Sequence, residues 1–532
     1  MKRYRLTMAA LLGTTMLSVG AAQAKTLVYC LEGSPEGFDP ALYTAGTTFD
    51  ASSRPVYSQL LEFERGTTST VPGVAESWDV SEDGLEYTFQ LRRGVKFHTT
   101  DFFTPTRDLN ADDVVFTFER QLDPEHPWHE YTAGTSWEYF NGMSMPDLLK
   151  DIEKVDDHTV KFVLTRPEAP MVANLAMDFA SIMSKEYADQ LEAAGKMEQL
   201  NQQPVGSGPF QWVAYQKDAV IRYKAHPDYW DGKQPIDDLV FAITIDASVR
   251  QQKLQAGECH VAPYPNPADI EALKSDPNLE VMEQEGLNVG YLAYNTQQEP
   301  FDNAKVRKAL NMAINKQAIL EAVYQGAGAA AKNPIPPTMW SYNEEIEDDP
   351  YDPEAARKML EEEGVSDLKL NIWAMPVQRP YNPNARRMAE LMQADFADVG
   401  VTVEVVTYEW GEYLERSKAL DRDGAVLLGW TGDNGDPDNF LAVLLGCDAV
   451  GGANRAQWCN EEFDDLVQRA KTLSDQEERA ELYRQAQEVF KREAPWATIA
   501  HSIVFMPMRK EVKNYKVSPL GDHRFDGVDI EE

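Results

Sequence analysis

The stretch Ala75–His98, AESWDVSEDGLEYTFQLRRGVKFH, with Ala111–Arg120, ADDVVFTFER, just beyond it, sets the fold class. In the first, Tyr87–Leu91 (YTFQL) alternates with period two, which predicts a half-buried strand. In the second, an apolar-periodic run follows Asn110, whose short side chain suits an N-cap, so a helix is predicted over 112–120. The mixture continues in both directions. Thr26–Tyr29 (TLVY) and Val160–Leu164 (VKFVL) read as strands. Asn303–Asn315, Asp352–Glu363, Arg386–Val399 and Asp475–Glu493 read as helices. The second of these opens at Pro353 and is closed by Gly364, the N-terminal proline and C-terminal glycine that helices favour. Strands and helices are interleaved, so the expected class is α/β. No internal repeat or low-complexity linker interrupts it.

The length of 532 residues predicts about three to four domains. A hydrophobic content of 43% is that of a globular chain. The formal net charge is −37. That excludes a nucleic-acid binder, which needs clustered Lys and Arg, and an anionic membrane surface as partner. Solubility accounts for the acidity, and a saline habitat is a second explanation. The acidic clusters at 344–349 and 361–363 read as solvated faces.

Residues 1–24 read as an address. Lys2, Arg3 and Arg5 form a basic n-region, Met8–Ala22 is a 15-residue apolar run, and Ala22-Gln23-Ala24 is an A-x-A cleavage site. The run is shorter than the ~20 residues a membrane span needs. Cleavage would leave a soluble, exported chain beginning at Lys25, without a cysteine to carry lipid. Export implies an oxidising compartment, and four cysteines suit it: Cys30, Cys259, Cys447 and Cys459. Three pairings are open. Cys447 and Cys459, 12 apart in a Gly-rich loop, make the natural local pair, which leaves Cys30 with Cys259. Chain entropy assigns such loops at most roughly 3 and 5 kcal/mol. Zinc is the competing reading, but there is no CxxC and no ligand spacing with His.

Catalytic signatures are missing. There is no GxxxxGK[ST], GxSxG or HExxH. His126 and His129 flank Pro127-Trp128, which breaks the helix that would align them on a metal. An exported multi-domain chain of this kind is a binding protein or an unrecognised secreted hydrolase acting on peptides.

The opening stretch, with Gly206–Phe210 (GSGPF), Pro227–Trp230 (PDYW), Val306–Lys316 (VRKALNMAINK) and Tyr351–Leu360 (YDPEAARKML), resembles the family 5 solute-binding proteins of ABC transporters. The matches run in family order over essentially the whole mature chain. Lys25–Cys30 with Glu32–Phe38 (KTLVYC, EGSPEGF), Ala374–Glu390 (AMPVQRPYNPNARRMAE) and Gly429–Phe440 (GWTGDNGDPDNF) are similar to its dipeptide-binding members rather than its oligopeptide- or nickel-binding ones. The four cysteines also stand where those members carry two disulfides.

The resemblance implies a two-lobed periplasmic-binding-protein fold in three domains, with ligand in the interlobe cleft. Lobe 1 would comprise 25–56, 206–284 and 504–532; an inserted domain, 57–205; lobe 2, 285–503, with chain crossings near Glu285 and Ile503. It implies a periplasmic protein without catalytic residues, cofactor or metal. It would bind dipeptides, serve an inner-membrane ABC permease and act as a monomer, with a chemoreceptor as a further candidate partner. A longer peptide, haem or 5-aminolevulinate is the alternative ligand.

A dipeptide is a zwitterion with constant ends and variable side chains, so a general receptor reads the ends. Asp433 matches the family residue that takes the ammonium, and Arg379 the one that takes the carboxylate, for which a planar guanidinium fork suits. Thr44-Ala45-Gly46 and Gly429-Trp430-Thr431 match the extended segments that flank the ligand, and Gly46, Gly429 and Gly432 would permit close backbone approach. Trp373, Met375 and Tyr381 are candidate pocket walls. Read without the resemblance, Asp433 caps a turn, Arg379 is a surface charge and the glycine segments are turns. The run 433–440 contains three Asp and two Asn. It lacks the spacing of a calcium loop and reads as turn chemistry.

Overall fold

A computed structural model of the chain describes residues 24–132 and 136–531. The leader assigned to residues 1–24 therefore lies, but for Ala24, outside the described residues. Among the described residues, no helix is long and apolar enough to cross a membrane.

Among the described residues, three sheets of four strands or more organise the fold. In the first, Thr26–Tyr29 lies parallel to Asp238–Ala242, which runs antiparallel to Val220–Ala225, and Phe210–Gln216 closes the order. The second is antiparallel, in the order Ala75–Val80, Glu86–Leu91, Thr159–Leu164, Leu149–Asp156. Glu86–Leu91 buries alternate residues, as its sequence predicts. On the buried face Phe89 meets Phe162 edge-on at 5.6 Å, and Phe162 meets Phe118 of the helix Ala111–Leu122 at 5.0 Å. That helix starts where Asn110 directs it. The Asn110 side chain accepts from the Asp112 N–H at 3.0 Å, and the Asp113 carboxylate accepts from the Asn110 N–H at 3.0 Å, a reciprocal cap.

The third sheet is mixed, in the order Leu279–Glu285, Trp496–Arg509, Asn288–Tyr294, Ala425–Thr431, Lys369–Trp373, Thr402–Val406. All seven residues of Asn288–Tyr294 are buried, because both faces of this sheet are covered. The 14-residue strand Trp496–Arg509 joins the two lobes. Its first half pairs with Asn288–Tyr294, its second half with Leu279–Glu285, and Met508 bridges to Val261, which in turn bridges to Tyr29 of the first sheet. The register of Leu279–Glu285 against this strand ends at Glu285↔Ile503.

The four helices expected in the second half of the chain form as Ala304–Ala313, Pro353–Glu362, Ala385–Asp398 and Gln476–Glu493. Asn303, Asp352, Asn384 and Asp475 cap them, and Gly364 takes φ +74° after the second. Asn303–Asn315 was expected as one helix, but the backbone extends at Ile314 and Asn315 caps a separate short helix, Lys316–Ile319. The disulfides are Cys30–Cys259 and Cys447–Cys459. Cys30 directly follows the first strand and packs with Cys259 against Leu254, Leu273 and Leu279.

Candidate functional site

A cavity between the lobes gathers residues from the N-terminal segment, the loop after Lys369–Trp373 and the end of Ala425–Thr431. Thr44, Ala45, Gly46, Arg379, Gly429, Trp430, Thr431 and Asp433 all line it. Gly432 does not. Its N–H donates to the Leu287 carbonyl at 2.8 Å, and a Cβ there would stand 2.8 Å from Leu287 Cδ2 and from Phe440 Cε2, so this glycine serves packing. Tyr381 lines the cavity, whereas Trp373 and Met375 lie outside it.

Two glycines expected to admit a ligand backbone instead admit side chains of this protein. A Cβ on Gly429 would stand 2.2 Å from Tyr381 Cδ2, and one on Gly46 2.9 Å from Arg379 Nη2. The extended segment expected over Thr44-Ala45-Gly46 stops at Ala45, with φ −86° and ψ 130°, because Gly46 opens the helix Gly46–Ala51.

Ala425–Thr431 reaches the cavity as a half-open strand. On one side it pairs with Asn288–Tyr294 along its whole length. On the other, Lys369–Trp373 pairs with it only at Ala425 and Val426. The edge from Leu428 to Thr431 therefore faces the cavity without a neighbouring strand, a ready acceptor for an extended guest.

Arg379 is held on a tight turn. Its N–H donates to the Asn382 carbonyl at 3.1 Å, and the Asn382 N–H returns to the Arg379 carbonyl at 3.0 Å. Tyr324 and Ser502 hydroxyls donate to the carbonyls of Tyr381 and Pro380. Arg379 is only 7% exposed. It is not a surface charge, and it is not free: Nη1 donates to Glu32 Oε1, which stands just beyond Cys30 in the N-terminal segment. The rings of Tyr264 and Trp410 flank it at 5.8 and 6.0 Å. Burial disfavours the charged guanidinium, but Glu32, together with Tyr264, Tyr381 and Asp50, outweighs this and raises its pKa. Glu32 is fully buried, and its Oε2 has no hydrogen-bond partner among the described residues.

Asp433 is positioned by residues that sequence reasoning missed. The Tyr139 hydroxyl, from the segment carrying the second sheet, donates to its Oδ2. Asn439 Oδ1 accepts from the Asp433 N–H at 2.8 Å and from Trp430 Nε1 at 3.0 Å, fixing both residues at once. Burial pushes the Asp433 carboxyl up to about 7, while the Tyr139 hydrogen bond and the Arg54 charge pull the other way. A ligand cation would supply the missing countercharge. Turn chemistry holds only as far as Pro437: Asn434 Oδ1 accepts from the Asp436 N–H at 2.9 Å and Asp436 Oδ1 from the Asp438 N–H at 3.0 Å, and the run then enters the helix Asp438–Leu445. Among the described residues, no group of three or more His, Cys, Asp or Glu could hold a metal ion.

The cavity thus offers a carboxylate short of positive charge, a guanidinium, and an unpaired strand edge. Those groups suit a short, extended, zwitterionic guest.

The family model of bacterial extracellular solute-binding proteins, family 5, matches residues 69–452. The chain is 59% identical to the dipeptide-binding protein of Escherichia coli, covering 97% of this chain and 96% of that one. It is 54% identical to di/tripeptide-binding protein 1 of Pseudomonas aeruginosa, covering 98% of each. Among solved structures, a dipeptide-binding protein from a Pseudoalteromonas species in complex with Met-Leu superposes with a TM-score of 0.92 at 39% identity, covering 95% of this chain and 100% of that one. The interlobe cavity, the long strand joining two α/β lobes and these similarities place the chain in family 5 of the bacterial extracellular solute-binding proteins.

Proposed function

We propose that this protein is a periplasmic receptor that captures dipeptides by their charged termini and delivers them to an inner-membrane ABC permease. Asp433 takes the ammonium and Arg379 the carboxylate. The observation that carries this reading is the meeting of both groups in one cavity beside the open edge of Leu428–Thr431. That edge gives the ligand's peptide group a partner, which it needs once closure excludes water. Side-chain tolerance comes from water in the remaining space, since bridging water adapts to different groups.

Two anchors at fixed separation act as a ruler. An extended residue spans at most ~3.3–3.6 Å, so two residues reach roughly 7 Å and three roughly 10.5 Å. A third residue displaces one terminus from its partner. The proposed division places 25–56, 206–284 and 504–532 in lobe 1, 57–205 in an inserted domain and 285–503 in lobe 2. Crossings at Glu285 and Ile503, paired with each other in the sheet, form the hinge. Neither disulfide crosses that line. The protein acts as a monomer and performs no turnover; a chemoreceptor is a second candidate partner.

Mass spectrometry of ligands released on denaturing the purified protein tests the reading, together with calorimetry of Gly-Leu and N-acetyl-Gly-Leu. A family of dipeptides should be released, and acetylation should weaken binding by about two orders of magnitude or more, because it leaves the Asp433 carboxylate buried and unpaired. Release of haem alone, hydrolysis of any peptide, or equal affinity for both ligands would overturn it.

A further inference from the structure

Past Asp433 lies a second hollow that recognition of the two termini does not use. Arg54, Asp433 and Leu520 line both spaces, so they meet at the candidate ammonium site. Glu62, Asp178, Asp522 and Arg524 form the far walls. Four carboxylates, Glu62, Asp178, Asp433 and Asp522, thus face two guanidiniums, Arg54 and Arg524. Both guanidiniums are already engaged. Arg524 donates to Glu62 at 2.9 Å, to Asp526 at 3.1 Å and to the Phe63 carbonyl at 3.1 Å. Arg54 is paired with Asp50, outside the hollow, and lies 3.5 Å from Asp178. The hollow therefore keeps a surplus of negative charge. Asp522 Oδ1 is buried in it without a hydrogen-bond partner among the described residues.

A dipeptide whose ammonium sits on Asp433 carries its first side chain one bond away, on the same carbon. The space beside that carbon is this hollow. We propose that the hollow receives the side chain of the ligand's first residue and favours a cationic one, Lys or Arg, with Asp522 as its counter-charge. The proposal rests on the dipeptide-binding reading. A lysyl ammonium gives Asp522 Oδ1 the donor it lacks, and an apolar chain leaves that oxygen unpaired. A glutamyl carboxylate meets like charges, because Arg54 and Arg524 already offset Asp178, Glu62 and Asp522 of the same walls.

Calorimetry of the wild-type protein with Gly-Leu, norleucyl-Leu, Lys-Leu and Glu-Leu separates the two readings. Gly-Leu has no first side chain, so its failure to bind would refute dipeptide recognition itself. With Gly-Leu bound, Lys-Leu should bind about tenfold more tightly than norleucyl-Leu, which has a similar chain without the charge, and Glu-Leu at least about tenfold more weakly. Equal affinity for Lys-Leu and norleucyl-Leu would overturn the proposal. In Asp522→Asn the ratio between those two ligands should fall towards one. A folded variant that keeps the full ratio would remove Asp522 from the role. The wild-type series decides the cationic preference whether or not that variant folds, and Glu62→Gln, on the same wall, provides a second variant whose ratio should also fall.

Discussion

On the proposed clamp, Arg379 is shared between Glu32 and the ligand carboxylate, so its replacement has a consequence that a lone cation would not. Arg379→Ala removes the partner of both. It leaves the fully buried Glu32 carboxylate facing the incoming carboxylate with nothing between them. Breaking a buried pair by removing one member costs on the order of 3–5 kcal/mol, or about two to four decades in affinity for a free dipeptide. Glu32→Gln has the opposite sign. The guanidinium then lacks a countercharge until ligand arrives, and Gly-Leu should bind more tightly, by about tenfold. The double variant has neither charge, so its loss should be smaller than that of Arg379→Ala alone, about 1.5–3 kcal/mol for the missing charged hydrogen bonds. Gly-Leu-amide separates these contributions. In the wild type it forgoes the carboxylate, yet Arg379 keeps Glu32, so the amide should lose only a similar ~1.5–3 kcal/mol and lose little more on mutation. The assay is titration calorimetry of wild type, both single variants and the double variant with Gly-Leu and its amide, read as a cycle. Equal weakening of acid and amide by Arg379→Ala would refute carboxylate recognition at Arg379. A Glu32→Gln variant that binds the free acid no better than wild type would refute the sharing.

Binding should also depend on pH. The Asp433 carboxyl stands at about 7 without ligand, so below pH 7 the ammonium must displace a proton and affinity should fall about tenfold per unit. Above about pH 8 the ligand amine itself deprotonates, so affinity should peak between the two, with proton release measurable at pH 6 in buffers of different ionisation enthalpy. For stability the sign is reversed. The folded ligand-free protein retains a proton that the unfolded chain loses from about pH 4 upward, so Asp433 lowers stability as pH rises towards 7. Asp433→Asn should raise the thermal unfolding midpoint at pH 8 while abolishing the affinity maximum. Gly429→Ala should cost about 1–3 kcal/mol in denaturant unfolding, because its methyl group would displace the Tyr381 ring. Thiol titration of the denatured, unreduced protein should find no free sulfhydryl.

The features legible in the sequence are those in which cause and effect lie a few residues apart. Asn110 and Asp113 cap a helix through mutual bonds spanning three residues. Asp352-Pro353 opens another helix and Gly364 closes it at positive φ. The alternation of Glu86–Leu91 is the pleat of a strand written in residue types. Cys447 and Cys459, 12 apart, meet for the same reason of nearness. Asp433 and Arg379 were legible only through family resemblance, and the buried groups that hydrogen-bond to their side chains not at all. Glu32 meets Arg379 across 347 residues, and Tyr139 meets Asp433 across 294. Gly429, which reads as room for a ligand, is occupied by Tyr381 because a tight turn carries that ring over the strand. Such contacts depend on how three sheets and one long strand place distant segments side by side. Local hydrogen bonds and side-chain periodicity determine the elements, whereas the charge state of the cavity is decided by packing, since only the folded chain brings one buried carboxylate onto the guanidinium and leaves the other short of a cation.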